Sequence, residues 1–104
     1  MDMKQFLKQA KVRLENVYGD RFHGLLLYGS EARGEAEPDS DIDLLVLLDG
    51  LIELWNDIRT IVRTLSDLQL EVLRPIHAMP VDIQKYDAGI YALYRNVKKE
   101  GIRV

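Results

Sequence analysis

The 104-residue sequence contains no cysteine, only three prolines and one tryptophan, and no long apolar run. Without cysteine, neither disulfides nor thiolate zinc sites can form, which fits a reducing cytoplasm. No segment approaches the ~18 consecutive apolar residues of a membrane-spanning helix, and the N-terminal segment lacks the apolar centre of a signal peptide. The length suits one compact domain over residues 1–104. We therefore expect a cytoplasmic single-domain protein without a membrane partner.

The charge balance argues against one class of partner. The formal net charge is −3 at pH 7, whereas a broad nucleic-acid surface needs a basic face. Basic residues do gather in the C-terminal segment YRNVKKEGIRV. We interpret that segment as a solvated helix face whose cations lie near the helix C-terminus. We therefore expect no direct contact with nucleic acid.

Hydrophobic periodicity predicts an alternation of helices and strands. The predicted helices cover residues 2–19, 51 to about 67, and 80–101; the predicted strands cover 22–29, 41–48, 68–79 and, briefly, 102–104. A short helical turn is expected after the first of these strands. The order α-β-α-β-α-β-α predicts an α/β fold of the α+β type, with a small mixed sheet flanked by helices.

Several residues predict where these elements begin, end or pack. Asp2 and Gln5 suit a capping box at the first helix, and Gly89 should interrupt the last one. Pro75 places the third strand at a sheet edge or bulge. Leu51 and Trp55 are expected in the core, although an exposed Trp55 would instead indicate a partner interface.

Two acids precede the second strand in the stretch LLLYGSEARGEAEPDSDIDLLVLL, residues 25–48. Side chains alternate along a strand, so Asp41 and Asp43 share one face while Ile42 points to the other. Adjacent like charges repel each other and are costly to bury without a cation between them. Mg²⁺ prefers oxygen ligands of this kind. The pair therefore predicts a divalent-metal site.

The Gly29–Ser30 pair could supply the other half of a nucleotide site. A glycine after a strand allows a tight turn, and free N–H groups of a helical turn over residues 30–34 would bind an anion. The Ser30 hydroxyl and the Arg33 guanidinium would add donors to phosphate. A Walker A loop is excluded, because Glu35–Ala36 stands where Lys-Ser/Thr is required.

Each feature has a common structural explanation when taken singly. Gly-Ser is usually a turn, Asp-x-Asp a solvated strand end, and Arg33 a surface residue. His23 and His77 are candidate ligands or bases, but a lone histidine near a strand end is more often structural. The metal carboxylates and the phosphate turn together predict metal-assisted phosphoryl or nucleotidyl transfer.

The segments GSEARG and SDIDLLV closely resemble the minimal nucleotidyltransferases of the DNA polymerase β superfamily. The signature of that family is Gly-Ser, ten residues, then Asp-x-Asp, which Gly29–Ser30 and Asp41–Ile42–Asp43 match. The closing segment LYRNVKKEGIRV is similar to the end of such proteins.

The resemblance implies a third metal-binding acid on the strand beside Asp-x-Asp. Glu71 is the preferred candidate and would lie on the third strand. Asp82 is the alternative, and otherwise caps the last helix. Glu31 departs from the family pattern, because relatives often have a basic or neutral residue at that position. An acid near the phosphates would reduce nucleotide affinity.

The resemblance also implies a function. Such short proteins are similar to antitoxins paired with HEPN-domain RNase toxins, so we expect a Mg²⁺-dependent transfer of AMP from ATP to a toxin tyrosine, within a hetero-oligomer. Asp41, Asp43 and Glu71 would hold metal, while Gly29, Ser30 and Arg33 would hold ATP. The alternative is an inactive fold that neutralises the toxin by binding alone. Transfer to a small molecule is a third reading, disfavoured because 104 residues leave little room for an acceptor domain.

Overall fold

The computed structural model describes residues 1–50 and 52–104, so our expectation for Leu51 lies outside the described residues. The helices are α1 (Met3–Tyr18), α2 (Gly29–Ala32), α3 (Leu54–Val72), α4 (Ile83–Ala88) and α5 (Ala92–Glu100). The strands are β1 (Phe22–Tyr28), β2 (Ile42–Leu48), β3 (Ile76–Asp82) and β4 (Ile102–Arg103). Within the described residues, four strands form one sheet in the order β3-β2-β1-β4.

The sheet is mixed, as the sequence predicts. Strand β1 runs antiparallel to β2 and to β4, whereas β2 runs parallel to β3. The parallel pair requires a crossover, and α3 provides it. The predicted α/β fold with helices around a small mixed sheet is therefore confirmed.

Strand β2 is the centre of the fold because both of its faces are buried. Ile42, Leu44, Val46 and Leu48 pack in a core cluster with α1 and α3. Leu45 and Leu47 belong to a second cluster, which includes Tyr86 of α4 and Val97 of α5. The alternation of β2 therefore supplies both cores, and Asp43 shares the face of Leu45 and Leu47.

Several predicted boundaries are confirmed by local hydrogen bonds. Asp2 and Gln5 form the capping box of α1. Gly89, with φ of 63°, ends α4 and separates it from α5. The Asp82 carboxylate caps α4 by accepting from the Gln84 amide. The short C-terminal strand forms as β4, but Pro80 lies inside β3 and does not begin a helix.

The predicted strand over residues 68–79 is wrong in its first half. Helix α3 does not stop near Ser66 and Asp67 but continues to Val72, and β3 begins only at Ile76. Leu65 and Leu68 continue the helical spacing and are buried. Ser66 and Asp67 are on the exposed side of the helix, where polar residues do not interrupt it. The expected edge position is confirmed, since β3 is the outer strand of the sheet.

The expected core position of Trp55 is also wrong. Its side chain is 71% exposed. It lies in the first turn of α3, whose inner face is occupied by Asp57 and Ile61. None of the helices in the described residues is both long and apolar enough to cross a bilayer.

Asp57 is a buried carboxylate that joins α3 to the end of α1. It accepts hydrogen bonds from the Tyr18 hydroxyl at 2.9 Å and from the Glu53 amide at 3.1 Å. Arg21 approaches the same carboxylate at 3.5 Å. Burial, followed by the bond to Asp57, raises the pKa of Tyr18 well above its ordinary value. The tyrosine therefore remains a neutral donor to this carboxylate.

Replacing Asp57 should destabilise the protein. In Asp57→Ala the Tyr18 hydroxyl keeps only the carbonyl of residue 57 at 3.3 Å as an acceptor, and the Glu53 amide and Arg21 lose the buried carboxylate. We expect the free energy of unfolding to fall by about 2–4 kcal/mol. Urea denaturation followed by circular dichroism measures this through the transition midpoint. Asp67→Ala is the control, because it removes only an exposed ion pair with Arg13. Equal midpoints for the two variants would contradict the structural role of Asp57.

Candidate functional site

Asp41, Asp43 and His77 meet at one end of the sheet. Their ligand atoms all lie within 4.8 Å of one another. The His77 Nδ1 atom is 3.6 Å from Asp41 Oδ2 and 4.0 Å from Asp43 Oδ1. Asp41 and Asp43 lie at the head of β2, as expected. His77 joins them because Asp43 and His77 are paired residues of the parallel β2–β3 ladder.

The electrostatics of Asp43 reflect its partly buried position. Burial raises the pKa of this carboxyl above its ordinary value, and the charge of Asp41 raises it further. His77 and Arg33 oppose that shift by stabilising the ionised form. A cation between the two aspartates would relieve the same repulsion. The donor set, two carboxylates and one imidazole, therefore fits a divalent metal ion.

The turn after β1 lies directly against Asp43. Gly29, with φ of 73°, begins α2, and a Cβ atom at this position would collide with Asp43 Oδ2. The amides of Arg33, Gly34 and Glu35 already donate to carbonyls inside the turn. The amides available to an anion are therefore those of the first turn, which lack partners within the helix. Ser30 lies in that turn.

Arg33 lies at the end of α2 and contacts two carboxylates. Its Nε atom is 3.3 Å from Glu35, and its Nη1 atom is 3.7 Å from Glu100 of α5. It also lines a cavity of about 240 Å³ with Tyr28 and Gly29, closed on the other side by α5. Asn96 and Leu93 contribute to that side. Arg33 therefore faces the space beside the Gly29 turn, but a phosphate there would compete with Glu35 and Glu100.

Glu31, which we expected to repel phosphate, is paired with Arg74. The Arg74 Nη1 atom is 2.6 Å from Glu31 Oε1, and the pair is largely shielded from solvent. Arg74 also donates through Nε to the Ser40 carbonyl at 2.8 Å. This neutralises Glu31 and ties the α2 turn to the residue before Asp41.

Neither candidate for the third acid lies with the aspartates. Glu71 is exposed in the last turn of α3, not on a strand, and its charge acts on Arg13. Asp82 pairs with Leu48, five positions along β2 from Asp43, which is roughly 16 Å at 3.3 Å per residue. The position beside Asp43 on β3 belongs to His77. The placement of Glu71 on the third strand beside Asp-x-Asp is therefore wrong.

The comparisons with known proteins agree with this architecture. The chain belongs to the polymerase beta nucleotidyltransferase family, whose model matches residues 4–104. A Methanocaldococcus jannaschii protein, provisionally named a protein adenylyltransferase, is 31% identical over 48 residues. That match covers 46% of this chain and 48% of the relative, so the chain spans about half of that protein.

Two solved structures share the fold. One, provisionally assigned as a nucleotidyltransferase from Sulfolobus solfataricus, has a TM-score of 0.62 and 21% identity, covering 96% of this chain and 79% of the other. The second is a toxin–antitoxin structure with AMP-PNP. Its TM-score is 0.62 at 19% identity, covering 91% of this chain and 70% of the other.

Sequence reasoning named His77 as a candidate ligand or base but did not place it beside the aspartates, and it missed the pairing of Arg74 with Glu31. The regular spacing of Ile58, Ile61, Leu65 and Leu68 was the available signal, because it continues α3 past Ser66 and delays the next strand. Because β3 starts after Pro75, His77 is the first β3 residue on the same sheet face as Asp43. No sequence pattern indicates the Arg74–Glu31 pair, whose members are 43 residues apart.

Two glycines provide a matched test of the site. Gly29 and Gly34 both have φ of 73°, but only a Cβ atom at Gly29 meets another group, the Asp43 carboxylate. Alanine at either position should cost about 1–2 kcal/mol of stability through backbone strain. Only Gly29→Ala should also displace Asp43 and weaken divalent-metal binding, by about tenfold or more.

Calorimetric metal titrations and urea denaturation of both variants separate the two effects. Equal metal affinity in Gly29→Ala and Gly34→Ala would show that the close approach of Gly29 to Asp43 does not position the carboxylate.

Proposed function

We propose that this nucleotidyltransferase-fold protein transfers AMP from ATP to a tyrosine of a HEPN-domain RNase toxin and thereby neutralises it. The observation that carries the proposal is the convergence of Asp41 and Asp43 with the Gly29–Ser30 turn at one end of the sheet. Nucleotidyl transfer requires a metal-binding acidic pair next to a phosphate-binding turn, and this convergence supports assigning those roles to the two aspartates and the Gly29–Ser30 turn.

The chain's own residues would divide the work as follows. The first-turn amides and Ser30 would hold the triphosphate, with Arg33 exchanging a carboxylate for a phosphate oxygen. Asp41 and Asp43 would hold a divalent cation, which when bound would supply positive charge to the reacting phosphate. The tyrosine oxygen forms the new bond to the α-phosphorus while the bond to the β-phosphate oxygen breaks, releasing pyrophosphate. An aspartate or water accepts the phenolic proton.

The choice of acceptor draws on the relatives. The M. jannaschii protein bears the provisional name of an enzyme that modifies proteins, and one structure that shares this fold is a toxin–antitoxin structure with the ATP analogue AMP-PNP. The HEPN domain and the tyrosine come from the resemblance of the signature motif to such antitoxins.

A second function, neutralisation by binding alone, is favoured by one observation. Trp55, Val62 and Leu70 of helix α3, and Leu73 just beyond its C-terminal end, have side chains that are each more than 60% exposed. The three helical residues fall on one side of α3, with Arg59 and Ser66 between them, and groups of exposed apolar side chains often mark protein interfaces. In this reading the aspartates would contribute nothing to protection.

The decisive experiment is the intact mass of a candidate HEPN toxin after incubation with this protein, ATP and a divalent metal salt. We expect a gain of one or more AMP units, located on a tyrosine by peptide mapping. In Asp41→Ala/Asp43→Ala the transfer rate should fall by at least about 100-fold, because several kcal/mol of transition-state charge stabilisation is lost.

Asp39→Ala is the matched control, since Asp39 is an exposed acid in the same loop and outside the metal cluster. It should transfer AMP at the normal rate. If the toxin mass stays unchanged and the double variant still protects fully, the transferase proposal is wrong and neutralisation by binding alone is supported.

A further inference from the structure

Where the signature motif leads one to expect a third carboxylate beside Asp-x-Asp, this chain has an imidazole. The register pairs Asp43 with His77 and Leu45 with Met79, so His77 points to the same face as Asp43. The neighbouring Ile76 and Ala78 pack on the opposite face, against the α1/α3 core. The histidine is therefore directed to the aspartates by the pleat of the strand, not by a chance side-chain orientation.

The distances suit a shared ion. Ligands at about 2.1 Å from one metal lie about 3.0 Å apart when adjacent and about 4.2 Å apart when opposite. The His77 nitrogen is 3.6 Å from Asp41 and 4.0 Å from Asp43, within that interval. The ligand atoms of Asp41 and Asp43 lie within 4.8 Å of each other, so side-chain rotations that draw the cluster together around an ion would bring all three atoms into one coordination sphere.

The His77 ring has no competing structural task. Its side chain is 61% exposed, so packing does not fix it. Among residues 1–50 and 52–104, its polar contacts are with Asp41 and Asp43 alone. The other histidine differs, because His23 lies 3.8 Å from Asp49 at the opposite end of the sheet.

We propose that His77 is a third metal ligand and that the mixed carboxylate–imidazole site selects Mn²⁺ over Mg²⁺. The reason is the donor atom. Mg²⁺ takes oxygen ligands almost exclusively, whereas first-row transition-metal ions also accept imidazole nitrogen. The inference rests on the proposed function for the identity of the site, and it refines the Mg²⁺ expected from the sequence.

The test measures metal binding without ATP or a toxin, using Mn²⁺ titrations followed by electron paramagnetic resonance and Mg²⁺ competition. In His77→Ala, Mn²⁺ affinity should fall by about tenfold or more, with Mg²⁺ affinity changing less than about threefold. His77→Asp should give the site three carboxylate ligands and lower its selectivity for Mn²⁺ over Mg²⁺ by about tenfold. His23→Ala should leave both affinities unchanged.

A direct signature identifies the ligand. Electron spin-echo envelope modulation of bound Mn²⁺ should show coupling to a histidine nitrogen, present in the wild type and in His23→Ala but absent in both His77 variants. Circular dichroism confirms that the exposed substitutions leave the fold intact.

Two results would overturn the proposal: no nitrogen coupling in the wild type, or equal losses of Mn²⁺ and Mg²⁺ affinity in His77→Ala. The second would mean that His77 only positions the carboxylates. Neither result bears on the adenylyl-transfer assay. Conversely, a failed transfer assay would not contradict ligation by the His77 nitrogen, so the two proposals can be tested separately.

Discussion

The burial of β2 on both faces is the constraint on which the rest of the structure depends. Every residue of Ile42–Leu48 except Asp43 is buried. The strand pairs with β3 along its whole length and with β1 from Asp43 onward, with one irregularity between Phe22 and Gly24. A strand enclosed in this way can carry charge only where it leaves the sheet. The aspartates consequently lie at its N-terminal end. Each neighbouring strand contributes a residue at the same end of the sheet: Gly29 directly follows β1, and His77 is the second residue of β3.

Several acidic side chains at this end of the sheet are paired with an arginine. Glu31 is neutralised by Arg74 within a largely shielded pair, which removes the obstacle to phosphate binding that its position in the turn suggests. Arg33 is shared between Glu35 and Glu100 at the surface, where such contacts are weak and exchangeable. Among the described residues, His77 makes the ion-pair contacts with Asp41 and Asp43, and Arg33 acts on Asp43 from a greater distance. The unresolved repulsion is therefore concentrated where a cation would bind.

The parts of the site that were predictable are those encoded by local spacing. Strand alternation places Asp41 and Asp43 on one face, and a glycine after a strand indicates the turn at Gly29, so both follow from short-range geometry. The start of β3 does not follow from local spacing, because its first residues are at most partly buried and form no strong apolar run. Ser66 and Asp67 resemble a helix end, yet Leu68 continues the helix. Misplacing that boundary put Glu71 in the strand position beside Asp-x-Asp that His77 occupies. Trp55 was misplaced because hydrophobicity alone does not reveal which helix face meets the sheet.

The connection from α3 to β3 organises the site more than its few residues suggest. Arg74 holds both the α2 turn, through Glu31, and the approach to β2, through the Ser40 carbonyl. The Pro75 carbonyl accepts from the Ile42 amide at 2.8 Å, which sets the register of the parallel ladder. One residue after Ile76, His77 then faces Asp43. A slip of one residue would turn His77 toward the α1/α3 core and bring an apolar side chain opposite Asp43. The bonds made by Arg74 and Pro75 therefore fix which chemical group stands third beside the two aspartates.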